Sequence, residues 1–113
     1  MTDKTLIIVP ARMGSSRFPG KPMYKINGIP MIEHVYTNVR DSSKNIYSYV
    51  ATCDNIILDH INSINGNVIL TGNHHERASD RCAEALFKIE KDLGFQFDIV
   101  VMVQGDEPMI NFK

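Results

Sequence analysis

Apolar residues along this chain fall into two kinds of run. Leu6-Ile7-Ile8-Val9 is continuous and ends at Pro10, the pattern of an interior strand buried on both faces of a parallel sheet. A loop from Ala11 to about Gly28 follows. Met31, Ile32, Val35, Tyr36 and Val39 then recur at helical spacing, and Pro30 suits the first helical position, where its missing N–H costs nothing. Ile46 to Cys53 reads as a second strand, rich in the residue types that favour sheet. Asp54 is placed to cap a short helix with a buried stripe of Ile57, Leu58, Ile61 and Ile64, stopped by Asn65-Gly66-Asn67. Val68-Ile69-Leu70 is a third strand. After a polar loop, Thr71 to Arg77, a helix carries Ala78, Cys82, Ala85, Leu86, Ile89 and Leu93 on one face and closes at Gly94. Ile99 to Val103 is a fourth strand, running straight into Gln104-Gly105-Asp106-Glu107-Pro108.

Strands that alternate with helices imply right-handed crossovers and a parallel sheet covered on its faces, an α/β fold. With strand order 3-2-1-4 the strand order reverses between strands one and four, and ligands of such sheets bind beyond the carboxyl ends of the strands at that reversal. The loop after strand one (Ala11 to Lys21) and the loop after strand four (Gln104 to Pro108) would then face each other. Residues 1–113 read as one domain, or the first part of one.

Composition narrows the function. Of 113 residues, 43% are hydrophobic and 22% charged, the balance of an ordinary globular chain. A net charge of −1 argues against a nucleic-acid partner held by bulk charge. No apolar run is long enough for a membrane span, and the N-terminus lacks the pattern of a secretory signal. Cys53 and Cys82 form no CxxC pair, so a cytoplasmic location is expected. The histidines, His34, His60, His74 and His75, lack the spacing of zinc ligands. Cys82 falls on an apolar helix face and reads as core.

Charge is unevenly spread. Lys4, Arg12, Arg17, Lys21 and Lys25 sit in a stretch with no acid between Asp3 and Glu33. Gly14, Ser15 and Ser16 can turn backbone N–H groups toward an anion, while Arg12, Arg17 and Lys21 supply charge and forked donors. A polyphosphate site is one reading and a solvated basic loop is the other. Neither a GxGxxG nor a GxxxxGK[ST] motif is present. Asp106 stands at the carboxyl end of strand four, where a carboxylate can hold Mg²⁺ together with substrate phosphates. Its plain alternative is an exposed acidic turn. Gln104 offers both a donor and an acceptor. The expected position of the two loops across the switch point favours ligand binding for both.

Val9-Pro10-Ala11-Arg12, Ser16-Arg17-Phe18-Pro19-Gly20-Lys21-Pro22, Asn27-Gly28 and Pro30-Met31-Ile32, with Val103-Gln104-Gly105-Asp106-Glu107-Pro108-Met109-Ile110, resemble the signatures of the CMP-sugar synthetases. Within that group the chain is most similar to the 3-deoxy-manno-octulosonate cytidylyltransferase (CMP-Kdo synthetase) family, and Ala51-Thr52-Cys53-Asp54 fits the same pattern. The resemblance implies a Rossmann-like nucleotidyltransferase fold and a Mg²⁺-dependent transfer of CMP from CTP to a sugar acid such as 3-deoxy-manno-octulosonate. Pyrophosphate would be released, and the product would serve as a precursor of lipopolysaccharide or another surface polysaccharide. It assigns Arg12, Lys21 and Asp106 to catalysis and Asp106 to the metal. Pro10, Ala11, Arg12, Ser15, Ser16, Lys21, Ser79 and Gln104 would bind the nucleotide. A full-length relative is expected to be a homodimer.

Two departures stand out. The family's Ser-Gly-Thr-(Asp/Glu)-Arg stretch is replaced by Arg77-Ala78-Ser79-Asp80-Arg81, with Ser79 in place of the threonine. Family members are also substantially longer, so the chain is expected to be a truncated, N-terminal nucleotide-binding part. The alternative function is therefore a non-catalytic nucleotide-binding module. A nucleotide-sugar transferase on a similar fold is disfavoured, because Gly105-Asp106-Glu107 is not the DxD motif such enzymes use.

Overall fold

The first apolar run occupies the middle of the sheet. In a computed structural model describing residues 4–14, 20–42, 46–72 and 77–103, it forms β1 (Thr5–Ala11). A short 3-10 turn (Lys21–Met23) precedes two brief strands, β2 (Lys25–Ile26) and β3 (Ile29–Pro30). There follow α1 (Met31–Ser42), β4 (Tyr47–Thr52), α2 (Asn55–Ser63), β5 (Val68–Leu70), α3 (Ala78–Leu93) and β6 (Ile99–Met102). The four long-range strands pair in the order β5-β4-β1-β6, all parallel. This is the expected 3-2-1-4 order.

Alternation of side chains along β1 feeds two separate cores. Ile7, Val9 and Ala11 pack with Ile32, Val35, Tyr36 and Val39 of α1, Ile57 and Ile61 of α2, and Val50 of β4. Leu6 and Ile8 point the other way, onto Cys82, Ala85 and Ile89 of α3 and Ala51 of β4. Helices therefore cover both faces, as a doubly wound sheet requires. The helical stripes read from the sequence are the buried ones, with Ile32, Val39, Ile57, Ile61, Ala85 and Ile89 fully excluded from solvent.

Four local features refine the picture. The segment predicted as loop up to Gly28 contains β2 and the turn of an antiparallel hairpin that β3 completes. Its turn residues Asn27 (φ 54) and Gly28 (φ 80) are the left-handed pair that a two-residue hairpin needs. His34 Nε2–H of α1 donates to the Ile26 carbonyl at 2.9 Å and ties this hairpin down. Second, α2 stops ahead of Asn65-Gly66-Asn67 as expected, with Asn65 in the left-handed conformation at φ 60.

Third, Gly66 is needed for space. A Cβ there would lie 2.6 Å from Ile61 Cγ2 and 2.8 Å from Tyr36 Cε2. Gly66→Ala is expected to cost about 1–3 kcal/mol through overpacking, read as a lower urea midpoint with an unchanged slope.

Fourth, β6 is the end strand of the sheet among the described residues, the place that the order 3-2-1-4 gives to strand four. Ile99, Val100, Val101 and Met102 are each 39–44% exposed.

Pro10 shapes the exit from the sheet. Ile8 C=O accepts the Val103 N–H at 2.9 Å, so residues 8 and 10 turn their backbone groups toward β6. Proline has no N–H to continue that ladder. The β1–β6 register accordingly ends at Ile8↔Met102, while the β1–β4 register runs on to Ala11↔Thr52.

Candidate functional site

Parallel strands deliver their following loops to one edge. Arg12 leaves β1 there, exposed. Because β1 and β6 are adjacent and parallel, Val103, just past the end of β6, lies at the same edge. Ser79 lies exposed in the first turn of α3, the helix that follows β5, so it too belongs to this edge. Pro10 and Ala11 are the buried last residues of β1. Ser15, Ser16, Gln104 and Asp106 lie outside the described residues, as do Arg17, His74 and His75.

The stems of the loop after β1 are held by backbone bonds. Gly20 N–H donates to Met13 C=O at 2.7 Å, and Gly20 adopts φ 79, a left-handed conformation that glycine takes without strain. Lys21 then opens the 3-10 turn, with Pro22 at its start and buried. Met23 N–H bonds to Gly20 C=O and Tyr24 N–H to Lys21 C=O, both at 3.0 Å. Tyr24 C=O accepts the N–H of Met31 at 2.8 Å, fastening the turn to the start of α1. Lys21 is therefore presented from a turn held by backbone hydrogen bonds.

A carboxylate from β4's exit holds the other side. Met13 N–H donates to Asp54 Oδ2 at 2.7 Å. Asp54 N–H in turn bonds to the hydroxyl of Thr52 at 3.1 Å, a residue fully buried at the strand's end. Asp54 does occupy the N-cap of α2, but its side chain makes no capping hydrogen bond. The sequence-based role of cap is thus replaced by a contact across the sheet.

Arginine on the buried face of α3 organises the exit of β5. Arg81 is only 3% exposed. Its Nη1 donates to Thr71 Oγ1 at 2.7 Å and to Gly72 C=O at 3.2 Å. Gly72 N–H meets both carboxylate oxygens of Glu84 at 3.1 and 3.2 Å, and Lys88 pairs with Glu84 at 2.7 Å. The sequence pattern gives Asp54 only a capping role and assigns Arg81 no role of its own. The signals were a carboxylate ending the strand next to strand one, and an arginine on the stripe shared with Ala78, Cys82 and Ala85.

The remaining reactive groups are accounted for locally. His60 Nε2 lies 2.8 Å from Glu33 Oε1, joining α2 to α1. Burial pushes the Cys82 thiol up to about 11, against a smaller opposing pull from Arg81, the behaviour of a core thiol and not a nucleophile. Among the described residues there is no group of three or more metal-ligating side chains, and no helix is long and apolar enough to cross a membrane.

Comparison with known proteins agrees with this geometry. A family model described as cytidylyltransferase matches residues 6–113. The 3-deoxy-manno-octulosonate cytidylyltransferase of Hahella chejuensis is 49% identical over 105 residues, covering 92% of this chain and 39% of its own. The 8-amino-3,8-dideoxy-manno-octulosonate cytidylyltransferase of Shewanella amazonensis is 42% identical over 106 residues, covering 93% of this chain and 42% of its own. A solved CMP:2-keto-3-deoxy-manno-octonic acid synthetase complexed with CTP superposes with a TM-score of 0.85 at 41% identity, over 96% of this chain and 42% of that one. The chain thus spans about 40% of the length of the curated relatives it matches. With the strand order, the loop after β1 and these matches in agreement, the chain belongs to the cytidylyltransferase family.

Proposed function

We propose that the edge formed by the exits of β1, β5 and β6 binds CTP, and that the activity it serves is transfer of CMP to a sugar acid such as 3-deoxy-manno-octulosonate. One observation carries the reading. Arg12 and Lys21 flank a loop whose stems are pinned by the Gly20–Met13 and Met13–Asp54 hydrogen bonds, beside the point where β1 and β6 part. That is the switch point of the sheet, where such folds take ligands. The CTP in the similar solved structure supports it.

In this reading Arg12 and Lys21 neutralise the triphosphate, and Ser15 and Ser16 lie beside the phosphates. Pro10 and Ala11 approach the cytosine with their backbone, while Ser79 and Gln104 complete the nucleotide contacts. The sugar hydroxyl attacks the α-phosphorus. The new O–P bond forms as the bond to the β-phosphate oxygen breaks, pyrophosphate leaves, and the hydroxyl proton passes to solvent. The protein's share is positioning and charge neutralisation, because developing charge on the leaving pyrophosphate dominates the barrier. Asp106 would hold Mg²⁺ jointly with phosphate oxygens, a donor set of the hard oxygens that this ion prefers. When bound, the ion supplies further neutralisation of the triphosphate. A cytoplasmic location, a homodimeric full-length form and a role in making surface-polysaccharide precursors belong to the same proposal.

Calorimetric titration with CTP and a pyrophosphate-release assay with CTP, Mg²⁺ and 3-deoxy-manno-octulosonate test it. Saturable CTP binding is expected, with pyrophosphate release that Asp106→Ala abolishes. Because the chain spans about 40% of its relatives' length, binding without release would favour a nucleotide-binding module that does not turn over by itself. Absence of CTP binding would overturn both readings.

A further inference from the structure

We infer that Asp54 is a positioning residue for the nucleotide's phosphates, acting through the backbone of Met13. The inference rests on the nucleotide-binding reading and adds to it a residue that touches no ligand.

Three observations point to it. First, the Asp54 carboxylate accepts the Met13 N–H at 2.7 Å across 41 positions of sequence. Second, it does so from a helix N-cap that it leaves without a side-chain capping bond, although capping is what an aspartate there ordinarily does. Third, Met13 is held on its other side too, since its carbonyl accepts the Gly20 N–H at 2.7 Å. Met13 is thus clamped through both backbone groups, between Arg12 and Gly14.

Charge makes the arrangement informative. A carboxylate near a triphosphate site repels the ligand, so its presence needs a compensating role. Here one oxygen is engaged by a short, charge-assisted bond from an N–H. That bond fixes the residue next to Arg12, which removes ordering that CTP would otherwise have to impose. Thr52 supports the strut, because its hydroxyl accepts the Asp54 N–H from a fully buried position. The Cys53 thiol adds a weak contact to the same carboxylate oxygen at 3.8 Å.

Two substitutions separate positioning from capping. Asp54→Ser keeps a good N-cap but is too short to reach Met13. Asp54→Asn keeps the length and an acceptor oxygen. Each 113-residue variant is titrated with CTP, and amide exchange of Met13 and Gly20 is compared with that of core Val50. We expect Asp54→Ser to bind CTP about tenfold more weakly, with Met13 and Gly20 exchanging faster, Val50 unchanged and the melting temperature held. Asp54→Asn is expected to restore affinity to within about threefold.

Unchanged affinity in Asp54→Ser, equal losses in both variants, or tighter binding in both would overturn the inference; the last would mean that the carboxylate only repels the ligand. If the parent chain binds no CTP, the nucleotide reading fails for this chain. The exchange data then decide alone whether Asp54 holds the loop, and unaltered Met13 exchange would refute it.

Discussion

Ile8→Ala is expected to lower the unfolding free energy by about 2–5 kcal/mol, whereas Val101→Ala costs under about 1 kcal/mol. Both positions lie in continuous apolar runs that read alike in the sequence. Ile8 is fully buried in the central strand, packed against Cys82, Ala85 and Ile89. Truncating it loses the transfer energy of the removed carbons and leaves a cavity between sheet and helix, which the surrounding atoms fill only in part. Val101 pairs with Ile7 but is 39% exposed, so little apolar surface returns to water when it is shortened. Urea unfolding of both variants, at matched slope, measures the difference. Equal costs at the two sites would contradict the placement of β6 at the sheet's edge.

Lys21→Ala is expected to weaken CTP binding by tenfold or more. A charge-assisted bond to phosphate is worth about 1.5–3 kcal/mol, and about 1.4 kcal/mol corresponds to a factor of ten. The fold should not change with it. The turn carrying Lys21 is set by Gly20 in the left-handed region, by buried Pro22 and by backbone bonds from Met23 and Tyr24. The melting temperature is therefore expected to stay within a few degrees. Affinity should also fall less steeply with added salt in the variant, because one cation fewer faces the anion. Calorimetric titration at two ionic strengths reads both effects. Wild-type affinity and salt slope in Lys21→Ala would remove the lysine from the phosphate site.

Much of this molecule can be read before any coordinate is known. The helix stripes Met31–Val39 and Ala78–Leu93 are amphipathic at strict helical spacing, and those faces are the buried ones. Parallel pairing with both faces covered follows from alternation and crossover handedness, and the strands lie in the expected 3-2-1-4 order. The β2–β3 hairpin escaped because each strand has only two residues, too short for a period-2 pattern. Its Asn27-Gly28 turn carried the signal instead. Within the expected stop Asn65-Gly66-Asn67, Asn65 takes the left-handed position, since asparagine tolerates that region, while the glycine solves a packing problem against Tyr36.

Local patterning determined the elements, their buried faces and the basic and acidic loops, because hydrophobic period and turn chemistry act over a few residues. Only the tertiary structure decided that Arg81 lies buried on Thr71 and that Asp54 braces Met13 instead of capping α2. Each of those facts depends on which strands become neighbours. A carboxylate finds an N–H 41 positions away only after β1 and β4 have paired, and no short-range pattern in the chain encodes that meeting.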